Sequence, residues 1–265
     1  MLTAITLFGW AANDGKTLKV KLDILDFGDT VVFYRFGHEE LTFIGKNGKF
    51  EFELQVDTVC NGLLLQPRLL RGDMEDPLFY TIPLVGGESV SVLDTDKTRF
   101  DVDGTGFYAD YHQMDLFKEN VGKEQRDNAA KYREMKTDST ISKEERNKFY
   151  NDVYTPSYNR YQQALVDYVK AHPKQESAVC LLRSIDGLDK MKETYKLFDA
   201  SVREGRMKPL YESWVKDAEE RLEPEAEEKE AQKKQIAGIK APLFTLNDLE
   251  GSPLALTSLR GKKLR

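Results

Sequence analysis

The chain has 265 residues, 40% hydrophobic, 11% aromatic and 32% charged, enough to bury a real core without help from disulfides or metals. A net charge of -6, with no basic stripe to neutralise a phosphate backbone, excludes nucleic acid as the partner. The two cysteines, Cys60 and Cys180, form neither a Cys-x-x-Cys pair nor a zinc spacing, and they read as small buried hydrophobes.

Residues 1–15 open with the apolar run Met1 to Ala12. It has the h-region and small-residue end of a secretory signal without the basic n-region, and it serves equally as an edge strand with Thr3, Ile5 and Leu7 on one face. It is too short to span a bilayer, and no nearby cysteine offers a lipid anchor.

From residue 16 to 103 the apolar period is two. Leu18, Val20, Leu22 and Ile24 alternate with Lys19, Lys21 and Asp23, and Phe50, Phe52, Leu54 and Val56 repeat the pattern. Asn47-Gly48 tolerates positive φ and predicts a tight hairpin after a strand at Leu41 to Ile44. Further strands are predicted at Thr30 to Arg35, Leu63 to Leu69, Leu78 to Leu84 and Ser89 to Leu93, parted by Gly28-Asp29, Gly72-Asp73 and Gly86-Gly87. Short strands with no helix between them indicate an antiparallel sandwich or barrel-like domain.

At Gly104-Thr105-Gly106 the period changes to that of a helix, which opens a helical domain over residues 104–235. Phe107, Tyr111, Met114 and Phe117 start a long amphipathic stretch, charged from Lys118 to Lys148 and broken near Asp138. Tyr154, Tyr158, Tyr161, Leu165 and Tyr168 form one helical seam that reads as core packing, with Pro156 in its first turn and His172-Pro173 at its end. Ser177 is the expected N-cap of a helix carrying Val179, Leu182 and Ile185 and stopped by Gly187. One further helix carries Leu188, Met191, Tyr195, Phe198 and Val202 up to Gly205. The last carries Met207, Tyr211, Trp214 and Ala218 and leads through Pro224 into the solvated run Glu225 to Lys234. No repeat of solenoid length recurs.

The search for chemistry yields no catalytic, cofactor-binding or metal-ligating residue. His38, His112 and His172 are scattered, and Gly104-Thr105-Gly106 lacks the rest of any phosphate-loop fingerprint. Asp94, Asp96, Asp101 and Asp103 do not have EF-hand spacing.

Three features resemble one family. The strand around Asp29-Thr30-Val31-Val32-Phe33, the hairpin Asn47 to Phe52 and the turn Gly86-Gly87-Glu88-Ser89-Val90 resemble the DUF4369 domain of Bacteroidetes. Gly104 to Tyr111 resembles the junction that follows that domain. Ala241-Pro242, Phe244, Leu246, Asp248-Leu249, Gly251, Leu256 and Leu259-Arg260-Gly261-Lys262 resemble the opening of the thioredoxin-like domain of the TlpA and AhpC/TSA families.

The resemblance implies an α+β chain: a β-rich domain, an antiparallel helical domain, and over residues 236–265 the first hairpin segment of a thioredoxin-like domain truncated before its Cys-x-x-Cys. It further implies an exported, periplasmic or cell-envelope protein whose parent performs thiol-disulfide exchange with protein partners or substrates. This chain is then the non-catalytic accessory region. A deliberate shortening or a frameshift after Arg260 both account for that expectation. The alternative is a free-standing envelope module that binds a peptide or glycan on its sheet.

Overall fold

The computed structural model describes residues 16–24, 27–35, 40–65, 79–94, 100–234, 245–247 and 253–255. Among these residues the fold is α+β, with two four-stranded, largely antiparallel sheets and six α-helices. The expectations for residues 1–15, and for His38 and Asp96, lie outside the described residues.

One sheet contains β1 (Thr17–Asp23), β4 (Lys49–Gln55), β7 (Ser89–Asp94) and β8 (Phe100–Gly104) in the order β4-β1-β7-β8. Strands β1 and β7 run parallel, and the other neighbours run antiparallel. The second sheet contains β2 (Thr30–Arg35), β3 (Glu40–Ile44), β5 (Cys60–Leu65) and β6 (Phe79–Leu84) in the order β3-β2-β5-β6, all antiparallel. Alternation decides which face is inside: Leu18, Val20 and Leu22 of β1 are buried. On the opposite face Lys21 pairs with Glu51 at 3.5 Å and Lys49 with Asp23 at 3.2 Å, both across registered positions of β1 and β4.

The predicted hairpin turn is present, with Asn47 at φ 53 and Gly48 at φ 73, the two positive values a tight turn of this type needs. Strand β8 has no counterpart among the strands predicted from the sequence. Its Phe100 and Val102 alternate with Asp101 and Asp103, and the glycines that follow read as a hinge.

Helix α1 (Phe107–Thr137) buries Phe107, Tyr108, Tyr111, Met114 and Gly122, all in its first half. It ends at Asp138, whose carboxylate accepts the Thr140 amide at 2.8 Å, which places the break where it was expected. Helix α2 (Lys143–Phe149) starts with a reciprocal capping box between Ser142 and Glu145. A π-helical turn, Tyr150–Tyr154, then joins α3 (Thr155–Ala171), which has Pro156 in its first turn.

Two helix expectations are corrected. Ser177 is not an N-cap: it is buried inside a 3₁₀ helix, Glu176–Ser184, where its hydroxyl accepts from Gln175 Nε2 at 2.8 Å. The single helix expected from Leu188 to Val202 is two, α4 (Leu188–Tyr195) and α5 (Ala200–Arg203), because a tight turn between them bonds Phe198 N to Tyr195 O at 3.2 Å. The last helix, α6 (Lys208–Lys234), continues through Pro224.

The chain divides into two compact units, Met1–Lys216 and Asp217–Arg265. In the first unit one contiguous hydrophobic cluster includes Leu18, Phe33, Phe50 and Val92 from the strands and Tyr108, Met114, Leu165, Leu181 and Trp214 from the helices. In the second, β9 (Thr245–Asn247) and β10 (Pro253–Ala255) pair antiparallel.

Candidate functional site

Cys60 sits on β5 opposite Leu84, half-buried and packed against the core, and Cys180 sits in the 3₁₀ helix. Neither is in a disulfide. Burial pushes the Cys180 thiol up to about 12, so it stays protonated; a reactive cysteine needs its thiolate favoured instead.

The two described histidines, His112 and His172, are fasteners. His112 Nδ1 lies 3.2 Å from the Val102 carbonyl and 3.1 Å from Asp101 Oδ1, which ties α1 to β8. His172 Nδ1 lies 2.9 Å from the Tyr168 carbonyl and its ring stacks on Tyr168, closing α3. Of the remaining acidic candidates, Asp103 accepts the Gly104 amide at 2.7 Å, and Asp94 stands opposite Phe100 in the β7–β8 ladder. Among the described residues no group of three metal-capable side chains gathers.

The glycine pair at the start of α1 shows why a phosphate has no place there. Glu88, from the β6–β7 turn, already puts its carboxylate at that helix N-terminus. It accepts from Thr105 Oγ1 at 3.1 Å and from the Phe107 amide at 3.4 Å, and Arg206 lies against it at 2.9 Å. A Cβ on Gly106 would come within 2.7 Å of that carboxylate, and Gly106 also holds φ 46, so two constraints require glycine here. Glu88 lies in the Gly86 to Val90 turn singled out in the sequence, but its partner Arg206 has no local signal.

The tyrosine seam is an aromatic zip on the flank of α3. Tyr150, Tyr154 and Tyr158 follow one another with ring centroids 5.4 and 6.2 Å apart, and Tyr132 of α1 lies 5.2 Å from Tyr150 and 6.0 Å from Tyr154. Lys136 caps the row at 4.7 Å from the Tyr132 ring. Of the five residues expected in the seam, Leu165 alone is fully buried; the buried face of α3 is Ser157, Gln162, Leu165 and Val169. Gln162 is the polar member. Its amide donates to Ser184 O and accepts from Asp186 N, both at 2.9 Å, so it holds the end of the 3₁₀ helix. Tyr158 is held neutral, its phenol pushed up to about 12 by burial and by a hydrogen bond to Asp186.

The C-terminal motif contributes the remaining candidate. Its described residues form the β9–β10 hairpin in the register Thr245↔Ala255, Leu246↔Leu254 and Asn247↔Pro253. The other residues of the motif lie outside the described ones.

No family model, curated protein or solved structure matches this chain. No helix among the described residues is long and apolar enough to cross a membrane.

Proposed function

We propose that this chain is the non-catalytic N-terminal accessory region of a cell-envelope thiol-disulfide oxidoreductase of the TlpA-like kind. The β-rich and helical parts form a sandwich-like platform, and residues 236–265 open the thioredoxin-like domain that carries the redox pair in such proteins. The observation that carries this reading is the antiparallel pairing of Thr245–Asn247 with Pro253–Ala255, because a thioredoxin-like opening of the kind this segment resembles begins with such a pair. The chemistry elsewhere is consistent with a supporting role: Cys180 is held as a thiol, and His112, His172 and Arg206 are spent on holding elements together.

Reading the genomic DNA past the codon for Arg265 tests the proposal. A Trp-Cys-x-x-Cys continuation, in frame or shifted by one, is the expected result. Its absence in all forward frames overturns the reading.

A further inference from the structure

Strands β3 and β4 leave one hairpin and enter different sheets. Lys46 and Lys49 exchange both backbone bonds, at 3.0 and 3.1 Å, and beyond that pair β3 follows β2 while β4 follows β1. Gly45 is where they separate: a Cβ there would run into the Lys49 carbonyl and would sit 2.6 Å from the Phe50 ring. On the inner side the split is spanned by Phe43 and Phe52, whose rings stack at 3.7 Å with 8° between their planes.

The backbone groups on either side of the split follow from ladder parity. In an antiparallel ladder, residues that bond one neighbour alternate with residues whose N–H and C=O point the other way. Gly45 N donates to Asp29 O, so Gly45, Phe43 and Leu41 bond towards β2, and Thr42 and Ile44 point away from it. Val56 N donates to Lys16 O and Ile24 N to Gly48 O, so the even-numbered residues of β4 bond towards β1, and Glu51 and Glu53 point away. Counting on from Lys46↔Lys49, these rows are in register, Ile44 with Glu51 and Thr42 with Glu53. Among the described residues no hydrogen bond reaches the four amides.

The outer edges of the two sheets are treated differently. Strand β8 is tied to α1 through His112, and β6 carries Pro83, which has no N–H and whose carbonyl is taken by Tyr108 at 2.8 Å. Strand β3 instead presents Glu40, Thr42 and Ile44 to solvent, with Ile44 75% exposed.

We propose that the split is a β-augmentation site, at which an extended segment of a partner polypeptide pairs with the outward row of Thr42 and Ile44. Only another strand offers alternating donors and acceptors at the repeat of this row, which selects a polypeptide over a glycan. Ile44 adds one apolar side-chain contact on the exposed face. Backbone recognition of this kind accepts many sequences, as a redox protein with varied clients needs. The inference rests on the accessory-region reading only in naming the partner as such a client.

The test is fluorescence anisotropy of a short labelled peptide of alternating Thr and Val against the full chain, with the same peptide N-methylated at alternate amides as comparison. Each hydrogen bond removed should weaken binding about tenfold at most. Thr42→Pro removes an outward N–H and no bond to β2, and it should weaken binding similarly. Binding should also slow hydrogen exchange at the Thr42 and Ile44 amides. If Thr42→Pro does not fold, the N-methylated peptide decides alone. Absence of binding, equal affinity for both peptides, protection of some other segment, or occupation of the row by a second copy of the chain in cross-linking each overturns the proposal. A genomic continuation without Cys-x-x-Cys removes the redox reading and leaves every one of these outcomes as informative as before.

Discussion

Arg206 places Nη2 2.9 Å from Glu88 Oε1, joining the turn before β7 to the segment before α6, and the same nitrogen lies 2.8 Å from Glu176 Oε2. The Glu88 side chain is only 11% exposed and already accepts the first amide of α1, so one guanidinium bridges two carboxylates at a point where strands and helices meet.

Arg206→Ala should therefore destabilise the chain by about 1–2 kcal/mol, more than an exposed ion pair would and less than a fully buried one. Arg206→Lys should recover part of the loss, since a single ammonium cannot reproduce the forked geometry. Urea midpoints of the three proteins check both statements.

Tyr108 makes a second tie of this kind. Its hydroxyl donates to Pro83 O at 2.8 Å and accepts from Val85 N at 3.2 Å, and both bonds are buried. Tyr108→Phe leaves a carbonyl and an amide without partners and should cost about 1–3 kcal/mol. Burial raises the Tyr108 phenol above its ordinary 10.0, and raises the Cys180 thiol from 9.0 to about 12. Both groups hold their protons more tightly folded than unfolded. Their contribution is complete below the ordinary thiol value and is lost as pH rises through the window between the unfolded and folded values. Stability should fall above about pH 9 with a limiting slope near 1.4 kcal/mol per pH unit for each group. Urea midpoints measured across that range should drop less steeply in Cys180→Ala at the start of the fall. A flat profile would contradict the assignment.

Seven of the eight strands of the two sheets were legible because alternation is local: Leu18, Val20 and Leu22 declare their face without reference to anything else. Strand β8 escaped because five residues with two aspartates, running into Gly104-Thr105-Gly106, offer too little apolar alternation. The parallel pairing of β1 with β7 had no local signal, since it joins segments far apart in the chain. Ser177 has the residue type of an N-cap, yet the tertiary setting buries it and Gln175 reaches its hydroxyl. The outward rows of β3 and β4 were illegible for another reason: ladder parity depends on which residue bonds first, and Gly45 N to Asp29 O is a long-range fact.

The chain as it stands should not reduce disulfides. An exchange reaction needs an attacking thiolate and a resolving cysteine, and Cys180 is held protonated while Cys60 lies in a β-strand packed against the core. Insulin reduction with dithiothreitol should proceed at the rate given by the Cys60→Ser, Cys180→Ser double variant. Faster turnover by the unsubstituted chain would assign one of these thiols a chemical role.

Phe50 in β4 and Leu165 in α3 belong to the same hydrophobic cluster, although one lies in the β-rich stretch and the other beyond the change of period at Gly104. Close-packed interiors transmit the loss of a side chain to whatever shares the core, so the strands and helices of the first unit should unfold together. Phe50→Ala should cost about 3–5 kcal/mol and Leu165→Ala about 2–5 kcal/mol, each lowering one common transition. Hydrogen exchange under mild urea reads this directly: both substitutions should reduce the protection of β1 and of α3 by similar factors. If Phe50→Ala exposed the strands alone and Leu165→Ala the helices alone, residues 16–103 and 104–235 would be separate folding units and the contiguous cluster would be no more than an interface between them.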